Sequence, residues 1–63
     1  MTYDLNTEIS VFVGNLMLNE SDPQPWTVED AAYNMDCWAE EDIKMPEGMT
    51  PVMLAAEWNE QFM

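Results

Sequence analysis

Between Thr27 and Glu41, apolar and polar residues alternate with the period of an α-helix. The apolar positions recur at three- and four-residue spacing and are Val28, Ala31, Ala32, Met35, Trp38 and Ala39. Side chains at this spacing share one face of a helix. Thr27 can act as the N-cap, and Asp30 completes a variant of the capping box. The helix is predicted to end near Glu41, because Asp42 would otherwise turn its charge toward the apolar face.

A second helix is predicted to begin after Thr50, which can act as its N-cap. Pro51 suits the first helical position, since its missing N–H would have no partner there. The apolar stripe of this helix is formed by Leu54, Ala55, Trp58 and Phe62. Val52, Met53 and Ala56 lie off the stripe, so the first turns are apolar nearly all round. These side chains are either buried by two neighbours or left as an exposed patch.

Residues 7–18 carry two conflicting patterns. The helical spacing i, i+3, i+4, i+7, i+8 is occupied by Ile9, Phe12, Val13, Leu16 and Met17, whereas the β-branched content favours a strand. A helix is predicted, because a lone strand would find no partner within the chain. The alternative is an edge strand that pairs across a homodimer or onto the sheet of a target.

Two turn-forming clusters, 19–25 and 44–48, separate the three segments. The expected fold is therefore all-α, with one domain over residues 1–63 and three short helices in a small bundle. Its core is expected to form around Phe12, Trp26, Trp38, Trp58 and Phe62. A chain of this length buries only about 60% of its unfolded surface, so its stability is marginal.

The charge of the chain is extreme, with 13 Asp and Glu against a single basic residue and a net charge of −12. Like-charge repulsion opposes compaction. Direct binding to nucleic acid or to an anionic membrane surface is excluded, because both would repel the chain. Lysines would serve solubility equally and would add favourable i,i+4 pairs. Their near absence indicates that the charge itself is used, and a basic partner is expected.

Catalytic chemistry is not expected. The chain has no His, so a nucleophile would lack its usual base. Cys37 lies among Asp30, Asp36 and Glu41, whose charge disfavours a thiolate. Residues 39–48 do not match a calcium-binding loop, and neither metal nor cofactor is expected. A single cysteine excludes an internal disulfide and fits a reducing, cytoplasmic compartment, that of a host cell if the protein is viral. No signal peptide and no membrane span are expected.

The carboxylates of the middle helix fall into rows. Glu29, Asp36 and Glu40 share one flank, and Asp30 and Glu41 share the other. The chain continues past the helix end with Asp42 and Glu47. A helix repeats about every 5.4 Å and a DNA strand carries one charge per about 3.4 Å, so such rows can imitate a line of phosphates.

Selective binding also needs an apolar anchor. Methionines adapt to irregular surfaces, and the candidates lie in two groups. The partner-binding apolar residues predicted are Leu16, Met17, Met49, Val52 and Met53, with Leu18 and Met45 beside them. The sequence leaves open which of these belong to the core and which to an interface.

The chain resembles the small acidic DNA-mimic inhibitors made by bacteriophages in its size, its acidity and its lack of a catalytic set. These include inhibitors of uracil-DNA glycosylase, restriction enzymes and CRISPR nucleases. The stretch 16–21, LMLNES, is similar in composition to Leu-Met-Leu and Glu-Ser elements of a glycosylase inhibitor, in reversed order. The best-known member combines helix and sheet, so no residue roles carry over.

The resemblance implies a non-enzymatic inhibitor that occupies the basic DNA-binding groove of an enzyme, with uracil-DNA glycosylase as the first target. An anti-restriction or anti-CRISPR inhibitor is the next alternative. Acidic transcriptional activation segments share this mixture of acidic and large apolar residues, and they fold only on their partners. An antitoxin that masks a basic surface is a further alternative.

Overall fold

A computed structural model describes residues 3–62. Three helices follow one another along the chain: α1 (Leu5–Met17), α2 (Val28–Glu40) and α3 (Pro51–Phe62). The described residues contain no strand, and the radius of gyration is 11.3 Å, close to the roughly 10.6 Å expected for a folded chain of this length. The prediction of an all-α fold with three short helices in a small bundle is confirmed.

Helix α1 begins at Leu5, two residues before the predicted segment. Asp4 is its N-cap: the carboxylate accepts the Thr7 hydroxyl at 2.8 Å and the Thr7 amide N–H at 3.4 Å. Ile9 and Val13 lie one turn apart and are both buried, whereas Val11, which a strand would place on the same face as both, is 57% exposed. The strand alternative for residues 7–18 is therefore wrong, and with it the edge-strand pairing that it implied.

Helix α2 has the predicted start and end. Thr27 Oγ1 accepts the Asp30 amide and Asp30 Oδ2 accepts the Thr27 amide, both at 3.1 Å. After the C-cap Glu41, Asp42 adopts φ +59°, which an α-helix cannot continue through. The amides of Asp42 and Ile43 donate back to carbonyl oxygens of the last turn at 3.3 and 2.9 Å. This is a Schellman motif with Asp42 at the left-handed position that glycine usually occupies.

Helix α3 is the central element. Its N-cap Thr50 accepts the Met53 amide at 3.3 Å, as expected from the Thr50–Pro51 pair. Leu54, Ala55 and Trp58 are buried, because α3 packs against both α1 and α2. In the described part of the chain, α1 and α2 make no close backbone approach; Phe12 and Trp38 join them edge to face, with ring centroids 5.3 Å apart.

The predicted aromatic core is confirmed in four of its five members. Trp58 is 1% exposed and Trp26 stacks parallel on it at 3.9 Å. Trp38 and Phe12 are half-buried against the same cluster. Phe62 is 36% exposed, so its assignment to the core is wrong: it lies in the last turn of α3, one turn beyond the contacts that bury Trp58.

The connection between α1 and α2 is held against α3 by polar contacts. Asn59 accepts the Trp26 amide N–H and donates to the Trp26 carbonyl, each at 2.8 Å. The indole N–H of Trp58 donates to the Gln24 carbonyl at 2.7 Å. The side chains of Asn59 and Trp58 thus satisfy backbone groups of Gln24 and Trp26, which lie in a segment without regular secondary structure. These bonds fix the position at which α2 begins.

Candidate functional site: the acidic face of helix α2

The carboxylates lie on the outside of the molecule. Every Asp and Glu is exposed except Glu57, which is half-buried, and the core contains no charged side chain among the described residues. The exposed set includes all seven acidic residues predicted to contact a partner, namely Glu29, Asp30, Asp36, Glu40, Glu41, Asp42 and Glu47. The fold therefore leaves each of them accessible.

The first acidic row runs along the face of α2 that points away from α3. Glu29, Asp36 and Glu40 are all exposed, and helical geometry places them within about 40° of one another around the axis. Tyr33 falls on the same line, and its side chain is 71% exposed. Sequence reasoning missed this tyrosine, although its position four residues after Glu29 already placed it in the row.

The second row combines structural and surface roles. Asp30 is held by the capping box, and its backbone carbonyl accepts the side-chain amide of Asn34 at 2.8 Å. Glu41 is the C-cap of the helix. One oxygen of Asp30 is therefore engaged in holding the helix start, and Glu41 has the freer carboxylate of the two.

The two ends of α2 differ in how the helix dipole interacts with their acidic side chains. Glu29 and Asp30 lie in the first turn, where the positive end of the helix dipole favours them. Glu40, Glu41 and Asp42 lie at the other end, where a negative charge is unfavourable by about 0.3–1 kcal/mol each. The last turn has no basic residue to offset them. These three carboxylates are therefore held at a position that opposes helix stability.

The turn after α2 carries the remaining acidic candidate. Glu47 has an exposed side chain, and its backbone carbonyl accepts the Tyr3 hydroxyl at 3.0 Å. That bond joins the 44–48 turn to the start of α1. Glu47 is thus fixed through its backbone, while its carboxylate remains available.

The apolar candidates separate into core and surface. Met49 is only 7% exposed and belongs to the buried cluster, while Leu16 and Met17 are half-buried against it. Val52 is 62% and Met53 39% exposed, so the first turns of α3 do leave an apolar patch. Val52 and Met53 are the most accessible of the five predicted anchors, Leu18, which follows Met17 in the chain, is 84% exposed, and Met49 serves the interior of the fold.

The thiol of α2 and the carboxylate that caps α1 complete the set of candidate groups. Cys37 is a half-buried free thiol on α2. The Thr7 hydroxyl, and secondarily the Thr7 amide, hold the pKa of Asp4 below its ordinary value by hydrogen bonding to the carboxylate. Within residues 3–62, no three metal-ligating side chains converge.

The fold and its surface define a small, strongly acidic three-helix protein with a carboxylate-rich helix face. Comparison with known proteins adds no relative: no protein-family model, no curated protein and no solved structure matches the chain. Among the described helices, none has both the length and the apolar character needed to cross a bilayer.

Proposed function

We propose that this protein is a non-enzymatic DNA mimic that inhibits an enzyme by occupying its basic DNA-binding groove. The observation that carries the proposal is the outer face of α2, where five exposed carboxylates stand on a helix capped at both ends. A groove that holds phosphates with Lys and Arg would accept the same array of oxygens.

The density of charge on α2 supports this proposal. Glu29 and Glu41 are twelve residues apart, which corresponds to about 18 Å of helix axis. The five carboxylates from one end of that length to the other are about 4.5 Å of axis apart on average, whereas a DNA strand carries one charge per about 3.4 Å. One helix of this protein therefore offers a basic groove about three quarters of the linear charge density of a single strand.

The placement of acids at the carboxyl end of α2 also supports a use for the charge. Solubility alone would be served by carboxylates anywhere on the surface, or by lysines. Glu40, Glu41 and Asp42 instead lie where the dipole disfavours them, without a basic neighbour in the last turn. Departures from local stability rules of this kind are typical of functional sites.

Order in the free protein favours an inhibitor over an activation segment. The helices have specific caps, and Asn59 and Trp58 fasten the connecting segment to α3. A segment that folds only on its partner does not need such contacts within itself. A preformed array also avoids the entropy loss of ordering the carboxylates on binding.

The first target that we propose is uracil-DNA glycosylase, with a restriction or CRISPR nuclease next. All of these hold DNA in basic grooves, and the partner would in each case be a protein and not nucleic acid. Electrostatic attraction would speed the encounter and make it strongly dependent on salt. The exposed Val52 and Met53 could add apolar contact beyond the groove.

The experiment is an inhibition assay on a purified bacterial uracil-DNA glycosylase, using excision of uracil from an oligonucleotide. The test variant carries Glu29→Gln, Asp36→Asn and Glu40→Gln. The matched control carries Glu8→Gln, Asp22→Asn and Glu60→Gln, all at exposed positions elsewhere. Both variants change net charge from −12 to −9, so only the location of the charge differs.

We expect inhibition by the wild type to weaken steeply with added NaCl. The α2 variant should inhibit about 10–150-fold less well, at about 0.5–1 kcal/mol for each of three lost contacts, and the control should stay within about threefold. Equal inhibition by both variants would contradict the α2 array. If the wild type does not inhibit, a pulldown from bacterial lysate at low and high salt, read by mass spectrometry, tests the nuclease alternatives.

A further inference from the structure

A cleft of about 220 Å³ opens between the carboxyl end of α1 and the indole rings of the core. It is separate from the outer acidic face of α2 and was not foreseen from the sequence. All three tryptophans of the chain line it, together with Leu16, Glu20 and Asn34. The cleft therefore combines a carboxylate with indole rings.

The indoles give the cleft aromatic walls. Trp26 and Trp38 are both half-buried, with ring centroids 6.3 Å apart and planes inclined at 41°. Trp58 is 1% exposed and lies parallel to Trp26 at 3.9 Å, so it supports Trp26 from within. Indole faces carry negative electrostatic potential and attract cations positioned over them.

Two further sources of negative potential meet at the same place. Glu20 is exposed at the cleft, and its amide N–H donates to the Met17 carbonyl at 3.0 Å. That contact places Glu20 at the carboxyl end of α1, the negative end of the helix dipole. The last turn of α1 contains no basic residue. A cation in the cleft would therefore meet a carboxylate, a helix end and indole faces together.

We propose that this cleft binds a guanidinium group, supplied by an arginine side chain of the partner. A guanidinium is planar and weakly hydrated, so it stacks on indoles and pairs with a carboxylate better than a lysine ammonium does. Leu16 can contact its aliphatic stem, and the Asn34 amide oxygen can accept an N–H. The assignment of this arginine to a DNA-binding enzyme rests on the proposed function. The affinity of the cleft for a guanidinium group is independent of it.

The test uses N-acetyl-arginine amide as the probe and tryptophan emission as the readout, at constant ionic strength. The control ligand is N-acetyl-citrulline amide, which has the same shape without the charge. Because all three tryptophans line the cleft, occupation should change the emission directly. We expect saturable binding with a dissociation constant of about 1–30 mM, the range that a cation–π contact and one charge-assisted hydrogen bond provide.

Glu20→Gln is the test variant, and Glu60→Gln on α3 is the matched control, since both remove one exposed carboxylate. Glu20→Gln should weaken arginine binding at least fivefold and Glu60→Gln less than twofold. The proposal is overturned if the citrulline derivative binds equally well, or if Glu20→Gln has no more effect than Glu60→Gln.

The same variants separate this inference from the proposed function. In the glycosylase assay Glu20→Gln should weaken inhibition about fivefold and leave the α2 row intact. The α2 triple variant should in turn bind the arginine probe as the wild type does. Arginine binding without inhibition of the glycosylase or of any nuclease that the pulldown captures would refute the proposed function and support the cleft. Enzyme inhibition that is insensitive to Glu20→Gln, with no binding of the probe, would refute the cleft.

Discussion

Reversing one charge at either end of α2 should have opposite effects on the stability of the free protein. Glu40 is the last residue of the helix, and Glu29 lies in its first turn. Glu40→Lys and Glu29→Lys each change the net charge from −12 to −10. Relief of overall repulsion is therefore the same in both variants, and the difference between them reports the local effect of helix position.

The magnitudes follow from the helix dipole and from the neighbouring charges. Glu40→Lys replaces an unfavourable charge by a favourable one and turns the i,i+4 repulsion from Asp36 into attraction, which together contribute about 1 kcal/mol. Glu29→Lys reverses a favourable dipole interaction, at a loss of about 0.5–1 kcal/mol. For a domain of this size, 1 kcal/mol shifts the Tm by about 4–8 °C. Glu40→Lys should thus melt at least about 6 °C above Glu29→Lys.

The assay is thermal unfolding followed by circular dichroism at low ionic strength, repeated in 1 M NaCl. Salt reduces the Debye length to about 3 Å, so the gap between the variants should shrink. Equal melting temperatures at low salt would refute the statement that the acids at the carboxyl end of α2 oppose the fold. The stability gain would also mean that any loss of inhibition by Glu40→Lys comes from the interface and not from unfolding.

Two further predictions concern the N-cap of α1 and the turn that ends α2. Thr7→Val removes the hydroxyl that donates to Asp4, so the pKa of Asp4, which is lowered in the folded state, should rise toward its ordinary value in a carbon-13 NMR titration. A carboxylate whose pKa is lower in the folded than in the unfolded state stabilises the fold above its unfolded-state pKa, and this stabilisation is lost as the pH falls through its folded-state pKa. The difference in Tm between wild type and Thr7→Val should therefore become smaller in acid. A difference that does not change with pH would contradict this prediction. Asp42→Gly should raise the Tm by about 4–8 °C, because glycine adopts the φ of +59° without strain. Glu41→Gly, at φ −91°, should lower it, and a rise in both would point to charge relief alone.

Local chemistry made much of the fold predictable. The capping box of Thr27 and Asp30 and the Thr50–Pro51 start depend on neighbours within three residues, so the sequence displays them directly. Helix α1 starts two residues earlier than predicted because Asp4 caps it, and aspartate is a preferred N-cap residue. In the conflict between strand and helix over residues 7–18, the helix is distinguished by the burial of Ile9 and Val13 together with the exposure of Val11 between them.

The parts that could not be predicted depend on contacts between distant residues. Met49 lies outside any periodic segment, and only the path of the turn before α3 brings it into the core. The exposure of Phe62 follows from where α3 extends beyond its neighbours. The tryptophan cleft requires the segment before α2 to cross α3, which the bonds from Asn59 to Trp26 secure. No spacing in the sequence encodes such a crossing.

The acids at the carboxyl end of α2 join the stability of this protein to its proposed activity. If the charge served only to keep the chain soluble, replacing Glu40 by lysine would stabilise the fold and affect nothing else. If the charge contacts a basic groove, the same replacement stabilises the fold and weakens binding, because the groove now meets a like charge. The free energy of unfolding of a chain of 63 residues is small. On the proposed function, retaining three carboxylates against the helix dipole is a compromise in which the partner supplies the cations that the helix lacks.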